Sequence, residues 1–370
     1  MPDLFDPLAG IMAGFECGTQ LRRDRGRHDF VHATRHDALA WRDYAMLRHC
    51  GITSARDGLR WHLIEAQPGR YDWSSLENQR AGAAAAGVTV VWDLLHYGWP
   101  EWLDPLDPDF PARFAEFGAA AARHLGPGGF YTPVNEISFM AWAGGEAAYF
   151  APFRTDCANA LKMSFCRAAI AGARAIRAVD PGAVLLTSEP LIHVAAARPG
   201  AHHSALAARM RWAQHEAALI LLGKHCPELG GAHELFDRIG LNYYPHNQFD
   251  SDRRQLLPGD RRRRPLHRML ANASAMYERP LLLSETGAED DLRAGWLADI
   301  CGEVRRANAR GADVRSVCLY PILNHLGWDD DRYCAHGLFC GVDEDRTIHQ
   351  PLADQIVLEQ QRGLAPRILA

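Results

Sequence analysis

The stretch Leu281-Leu282-Leu283-Ser284-Glu285-Thr286-Gly287 joins a short apolar run to a polar end. A run of this length that stops at a glycine is typical of a strand buried on both faces. A carboxylate is costly to bury inside such a strand. Glu285 therefore indicates that this end of the strand opens onto a functional cleft.

Seven other segments repeat this pattern at intervals of roughly 30 to 55 residues, which suit a strand, a helix and a loop. The eight predicted strands are Ile11–Glu16, Ser54–Leu59, Val88–Leu94, Phe130–Asn135, Val184–Glu189, Arg238–Tyr243, Leu281–Glu285 and Ser316–Pro321. Between them lie stretches with helical spacing of apolar residues, clearest in Asp37–Cys50, Pro111–Leu125 and Leu161–Val179. Eight strand–helix repeats predict an α/β fold, a single (β/α)8 TIM barrel that forms one catalytic domain over residues 1–370. A doubly wound open sheet is the alternative, although no G-x-G-x-x-G motif follows the first strand.

The composition excludes several classes of protein. A chain with 48% hydrophobic and 23% charged residues is an ordinary soluble globular protein, which rules out a disordered or fibrous chain. The net charge of −5 lacks the basic excess of a nucleic-acid-binding domain, so we expect no nucleic-acid partner. No uncharged apolar run reaches the roughly 18 residues of a membrane helix, so we expect no membrane partner.

Nine cysteines are scattered along the chain without a C-x-x-C pair. This pattern favours free thiols in a reducing compartment, so we expect a cytoplasmic protein. The start Met1–Asp6 also lacks the basic region of a secretory signal. Without an H-E-x-x-H motif or clustered Cys and His spacing, neither a metal nor another cofactor is expected. Cys334 and Cys340 flank one loop, and we expect both to be free thiols without ligand partners.

Polar or aromatic side chains follow nearly every predicted strand. The candidates for a site are Glu16, Arg56, His96, Asn135, Glu136, Glu189, Tyr244, Glu285, Trp328 and Asp329. Because barrel enzymes build their active sites at the carboxyl ends of the strands, these side chains should meet at one mouth. Aromatic rings and carboxylates suit a sugar, and two facing carboxyls are what glycosidic bond cleavage requires. For a single carboxylate, a structural role beside a helix N-terminus or an arginine stays open.

Two of these segments resemble motifs of retaining glycosidases. Thr132-Pro133-Val134-Asn135-Glu136 and Leu283-Ser284-Glu285-Thr286-Gly287 are similar to the Asn-Glu-Pro and Thr-Glu-Asn-Gly motifs of glycoside hydrolase family 1. Leu95–Leu103, Ile239–Tyr244 and Trp328–Phe339 resemble other parts of that family in the same order. The resemblance covers about residues 10–345 and, like the repeat pattern, implies a (β/α)8 barrel.

The resemblance also implies roles for individual residues. Glu136 would be the general acid/base and Glu285 the nucleophile. Substrate-site roles are implied for Asn135 at the sugar's 2-hydroxyl, Arg56 and Tyr244 beside the nucleophile, and His96 and Trp328 in the sugar subsite. Three more carboxylates are candidates for sugar contacts: Glu16, Glu189 and Asp329.

The chain departs from the family pattern at several positions. Ile137 replaces the proline after the acid/base, and Thr286 alone separates Glu285 from the following glycine. Gly327 stands where the family has a glutamate that binds remote sugar hydroxyls, and the position of the family's glutamine near strand one could be Gln20, Glu16 or Cys17. We therefore expect intact cleavage machinery with altered recognition of the far side of the sugar.

These observations predict a retaining β-glycosidase that hydrolyses a small β-glycoside, its only expected partner. A transglycosylase would use the same covalent intermediate and differ only in the acceptor. A non-catalytic sugar-binding barrel and an unrelated metal-dependent hydrolase are the further alternatives. The oligomeric state stays open.

Overall fold

A computed structural model describes residues 6–23, 26–328, 330–341 and 345–365. The barrel strands are β1 (Gly10–Gly14), β2 (Ser54–Gly58), β3 (Thr89–Leu95), β4 (Phe130–Val134), β5 (Val184–Pro190), β6 (Arg238–Asn242), β7 (Leu281–Thr286) and β8 (Val314–Leu319). All are parallel to their neighbours and follow one another around a closed ring, in which β1 pairs with both β8 and β2. The predicted (β/α)8 barrel and its eight strands are thus confirmed. Closure of the ring excludes the open doubly wound sheet.

Helices lie between the strands and surround them. Within the described residues they are α1 (Phe30–Ala33), α2 (His36–His49), α3 (Trp61–Ile64), α4 (Glu77–Ala86), α5 (Phe110–Leu125), α6 (Ile137–Gly145), α7 (Ala158–Val179), α8 (Ala201–Leu221), α9 (Leu266–Tyr277), α10 (Leu292–Asn308) and α11 (Gln350–Arg362). The three helices predicted from sequence correspond to α2, α5 and α7. The chain leaves α2 through Gly51, whose φ of 74° is readily adopted only by glycine. No helix in the described ranges is long and apolar enough to cross a membrane.

The core has two parts. The larger lies between the strands and the helices, where Trp61 stacks on Phe117 with ring centroids 4.9 Å apart. There α7 approaches α5 closely because residue 172 is glycine, and a Cβ at Gly172 would lie 2.6 Å from Phe114. The smaller cluster joins side chains of alternate strands, including Met12, Val91, Leu186 and Leu282. Such side chains fill the interior of a barrel, which therefore has an active site only at its mouth.

The loop after β8 carries secondary structure of its own. His325–Leu326 pairs in antiparallel fashion with Tyr333–Cys334, and Phe339–Cys340 pairs with Thr347–Ile348. The first pair forms the base of a hairpin whose described part includes Trp328. The amide of Asn324 donates to the hydroxyl of Tyr333 at 2.8 Å and ties the base of this hairpin together.

The arginine-rich segment Arg253–Arg264 is a loop. It follows a two-stranded sheet formed by His193–Ala195 and Gln248–Asp250. The Gln248 amide holds both the backbone carbonyl and the backbone N–H of Arg264, at 2.9 and 2.8 Å. The loop is therefore anchored at its end.

Candidate active site

Glu285 lies in β7 with both carboxylate oxygens engaged. Its Oε1 accepts from Arg56 Nη1 at 3.1 Å, and its Oε2 accepts from the Tyr244 hydroxyl at 3.0 Å. The pairing of β7 with β6 shifts register between Leu283 and Glu285, and the side chain is only 4% exposed. Glu285 is thus held in one orientation by a cation and a hydroxyl.

Arg56 is the buried centre of a polar network. Besides Glu285, it contacts Asp93 Oδ2 at 2.5 Å and Asn135 Oδ1 at 3.0 Å, and its guanidinium lies over the ring of Tyr320. Burial opposes the ionisation of Asp93, but Arg56 and then His96 outweigh it and lower the pKa of Asp93. The guanidinium is therefore shared between two carboxylates.

Glu136 stands directly after β4, at the start of α6. Its Oε1 accepts from the amide of Asn242 at 2.8 Å, and its Oε2 accepts from the hydroxyl of Tyr97. Both Glu136 and Tyr97 have left-handed backbones, with φ of 48° and 62°. Such conformations cost roughly 1–3 kcal/mol each and persist only where the surroundings hold them. The backbone bond from Glu136 N to Ser188 O, at 2.7 Å, supplies one such constraint.

Glu189, a candidate sugar contact, has a different position. Its two carboxylate oxygens accept from the backbone N–H groups of Ile137 and Ser138, at 2.8 and 3.1 Å. These are free donors at the N-terminus of α6, where a carboxylate is also favoured by the helix dipole. At 1% exposure Glu189 caps the helix that follows Glu136. Both of its oxygens thus accept from the start of α6, and a sugar contact at Glu189 stays a prediction.

His96 and Asn135 connect the surroundings of the two glutamates. Nδ1 of His96 lies 3.0 Å from Asp93 Oδ2, and its Nε2 lies 3.0 Å from Nδ2 of Asn135. Asn135 Nδ2 also lies 3.3 Å from the hydroxyl of Tyr97. A proton on Nδ1, directed at Asp93, leaves Nε2 as the acceptor and fixes the tautomer. The network therefore runs from Glu285 through Arg56 and Asn135 to Tyr97 and Glu136.

Glu16 and Gln20 occupy the β1 side of the mouth. Glu16 accepts from the backbone of Gly18 at 2.9 Å and lies 3.8 Å from Nε2 of His96. The side chain of Gln20 is fully buried, and neither of its polar atoms has a partner among the described residues. A Cβ at Gly18 would lie within about 3 Å of carboxyl Glu16 and amide Gln20 alike. Both groups thus reach the same small region, where the unpartnered amide suits a ligand hydroxyl.

An aromatic cover lies beside Glu136, which accepts from its Tyr97 hydroxyl. It consists of Tyr97, Phe139, Phe150 and Trp328, with the Trp328 ring centroid 5.1 Å from Tyr97 and 5.6 Å from Phe150. Glu136 itself is 8% exposed. Such rings stack on sugar faces and exclude water.

Gly327 does not leave an open space. A Cβ at this position would lie 2.0 Å from Oδ1 of Asp330, which in turn accepts from the backbone of Arg332. A glutamate could not replace Gly327 without displacing Asp330. Asp329 lies outside the described residues.

Burial governs the charge state of the two glutamates, and repulsion from neighbouring carboxylates adds to its effect. Burial raises the pKa of Glu136 to about 7. Burial also raises the pKa of Glu285 to about 7, while Arg56 opposes the rise and the Glu136 carboxylate adds to it. Two groups that interact in this way lose their protons in two steps that belong to the pair. Because Arg56 contacts Glu285 directly, ionisation is favoured at Glu285 and the remaining proton at Glu136.

Sequence reasoning assigned no role to Tyr97, Asp93 or Asn242. Asp93 and Asn242 lie at strand ends and could have been found by the same reasoning that selected Glu285. Tyr97 could not, because its contact with Glu136 depends on a left-handed backbone. Two sets of possible metal ligands also converge: Cys17, Asp93 and His96, and His325, Cys334 and His336. The expectation that Cys334 lacks ligand partners is therefore wrong.

The geometry defines a (β/α)8 barrel with two buried, differently held carboxyls at the carboxyl ends of β4 and β7. The chain aligns with a β-glucosidase from Thermotoga maritima in complex with glucoimidazole at a TM-score of 0.79 and 15% identity, over 97% of this chain and 99% of that one. It aligns with the virulence factor SghA in complex with its substrate analog salicin at a TM-score of 0.80 and 18% identity, over 96% of each chain. It also aligns with the AHE enzyme from Alicyclobacillus herbarius at a TM-score of 0.78 and 17% identity, over 96% of this chain and 99% of that one.

No protein-family model and no curated protein matches the sequence. The chain thus has the fold of family 1 β-glucosidases, and its sequence is far from theirs.

Proposed function

We propose that this chain is a retaining β-glycosidase that hydrolyses a small β-glycoside through a covalent glycosyl-enzyme intermediate. The observation that carries the proposal is the unequal holding of two carboxyls at one mouth. Glu285 lies between a guanidinium and a hydroxyl, whereas Glu136 lies between an amide and a hydroxyl. The first arrangement favours a charged nucleophile, and the second leaves a carboxyl that can keep its proton.

In the first step Glu136 would donate its proton to the glycosidic oxygen as the bond to the leaving group breaks. Glu285 would attack the anomeric carbon and form a glycosyl ester. The ester would remove the negative charge of Glu285, so an ionised Glu136 would no longer face a second carboxylate charge at the same mouth. Glu136, which lost its proton in the first step, would then stay ionised and take a proton from water, which attacks the same carbon and releases Glu285. One carboxyl serves both steps because the other changes charge between them.

The remaining residues would bind the sugar. Asn135 would contact the 2-hydroxyl, His96 and the Glu16 and Gln20 pair would bind hydroxyls farther around the ring, and Trp328 would form a platform. With Asp330 packed against Gly327, the glutamate clamp of glucose-type sites is absent from this position. We therefore propose a sugar that differs from glucose at its 4- or 6-position. A sugar contact at Asp329 stays a prediction.

A transglycosylase is the second candidate, and the aromatic cover favours it. Rings at the mouth exclude water and offer a stacking surface for an acceptor sugar or alcohol. Product analysis with and without an added acceptor separates the two, since only a transglycosylase diverts most of the intermediate to the acceptor. The cytoplasmic location also stays a prediction; the nine free cysteines fit a reducing compartment.

A panel of nitrophenyl glycosides with different sugars and both anomers tests the proposal. We expect activity on a β-anomer, with the β-anomer as first product by proton NMR. Glu285→Ala should abolish turnover, and Glu136→Ala should keep the first step for leaving groups that need no proton. Glu116→Gln, on the outer face of α5, is the control and should retain activity. An inverted first product, or full activity of Glu285→Ala, would contradict the mechanism.

A further inference from the structure

A second cluster of ligand-type side chains lies in the loop after β8. His325 and Cys334 face each other across the short antiparallel pair, and His336 follows two residues later. One potential ligand atom from each of the three residues lies within 4.8 Å of the other two. His325 and Cys334 are 4% and 3% exposed, and the side chain of His336 is 19% exposed. Two imidazoles and a thiol therefore converge in a largely buried place.

The surrounding contacts engage one ring nitrogen of His325 and leave one ring nitrogen of His336 without a hydrogen-bond partner among the described residues. Nδ1 of His325 lies 2.6 Å from the carbonyl of Leu326, so Nδ1 carries the ring proton. Nε2 of His325 then keeps a lone pair that can bind a metal ion. Nδ1 of His336 is buried without a hydrogen-bond partner among the described residues, while its Nε2 lies 3.7 Å from the Glu289 carboxylate. Metal-binding histidines have this pattern, with one nitrogen on a carbonyl or carboxylate and the other on the metal.

We propose that His325, Cys334 and His336 bind a zinc ion, with Glu289 behind His336. Zinc favours a tetrahedral set of thiolate and imidazole at about 2.0–2.3 Å, which places ligand atoms about 3.3–3.8 Å apart. Small side-chain rotations bring atoms now within 4.8 Å to that spacing. The thiolate and Glu289 offset the charge of the ion, and Arg332 already neutralises part of Glu289. A fourth ligand, water or Glu289 itself, completes the shell.

The other convergent trio, at the barrel end, fits a cation less well. There Asp93 is already paired with the buried Arg56 guanidinium and accepts from Nδ1 of His96. A metal bound to Cys17, Asp93 and His96 would lie beside a buried positive charge. Repulsion at that distance in a buried site would oppose binding.

The zinc site would act on the hairpin that carries Trp328. The ion would join the two strands at the hairpin base through His325 and Cys334. It would also reach the loop after β7, because Asp290 N donates to the Ala335 carbonyl at 3.0 Å and Glu289 faces His336. Since the Trp328 ring packs on Tyr97, zinc would fix one wall of the aromatic cover.

The test measures metal binding and does not depend on glycosidase activity. The full chain, reduced and stripped with a chelator, is reconstituted with zinc, desalted and analysed for metal content. We expect one zinc per chain and a rise in Tm on reconstitution. Cobalt in its place should give a thiolate-to-cobalt charge-transfer band and the intense visible bands of a tetrahedral site. Cys334→Ser should abolish the charge-transfer band, and His336→Gln should weaken zinc binding by more than the roughly 10- to 100-fold that loss of an outer-shell partner costs.

Cys340→Ser and Cys17→Ser are the matched controls and should bind zinc like the unchanged chain. If circular dichroism shows that Cys334→Ser does not fold, zinc binding is measured on His336→Gln instead, because His336 is more exposed than Cys334. Absence of both retained zinc and a cobalt band in the unchanged chain would overturn the proposal. Loss of zinc in Cys17→Ser alone would also overturn it, because the ion would then lie at the Asp93 trio.

Discussion

Replacing Tyr244 by phenylalanine should raise the pKa of Glu285, the proposed nucleophile. The Tyr244 hydroxyl donates to Oε2 of Glu285 at 3.0 Å, and a hydrogen bond to a charged group contributes about 1.5–3 kcal/mol. One pKa unit corresponds to about 1.4 kcal/mol, so the pKa of Glu285 should rise by about 1–2 units from its value of about 7. Because the proposed reaction needs ionised Glu285, the acid limb of kcat/KM should move to higher pH by the same amount.

The assay is a pH profile of kcat/KM on the best nitrophenyl glycoside, which reports ionisations of the free enzyme. Below the acid limb, kcat/KM should fall at least about tenfold, since one unit of pKa is tenfold in the ionised fraction. Tyr243→Phe is the matched control, because the neighbouring Tyr243 hydroxyl binds Gln248 instead of a glutamate. An acid limb that stays in place in Tyr244→Phe, or moves equally in Tyr243→Phe, would refute the reasoning.

Three further outcomes are expected. The pKa of Glu136 is about 7 in the folded chain and 4.5 in the unfolded chain, so the unfolded chain loses this proton at lower pH. The free energy of unfolding should therefore fall by about 3 kcal/mol between pH 4.5 and 7. Denaturant titrations should show a smaller fall in Glu136→Gln. Glu189→Ala should lower stability by about 1–2 kcal/mol, as loss of a helix cap does, and lower kcat through displacement of Glu136. A substrate panel should find β-glucosides poor, given Gly327; a β-glucoside as best substrate would contradict this.

The barrel was predictable because its signal repeats eight times. Most strand segments are short and apolar and are followed by polar residues, and the stretch Leu281–Gly287 has all three features in seven residues. Chain order alone then places Glu136 and Glu285 at the same end, since parallel strands in a ring have their carboxyl ends together. Local pattern and overall topology agree here, so the strand positions needed no distant contact to be inferred.

The roles of single carboxylates were less predictable. A glutamate at a strand end can face the mouth of the barrel or the first turn of the next helix, and the sequence pattern is the same in both cases. Glu189 faces a helix, because α6 begins beside it and offers two backbone N–H groups. The cluster of His325, Cys334 and His336 was not predicted for another reason. The spacing of these residues resembles no metal motif, and only the hairpin pairing of His325 with Cys334 brings them together.

The aromatic cover also has a consequence for affinity. Glu136 and Glu285 are only 8% and 4% exposed, and Tyr97 of the cover contacts Glu136. Under the proposed function, sugar would therefore bind only to the fraction of molecules in which the rings have moved aside. Apparent affinity falls in proportion to that fraction, so a cover open about 1% of the time weakens binding about 100-fold. Variation in Phe150 or Trp328 could therefore tune substrate affinity over a wide range through this equilibrium, with the chemistry of the two glutamates unchanged.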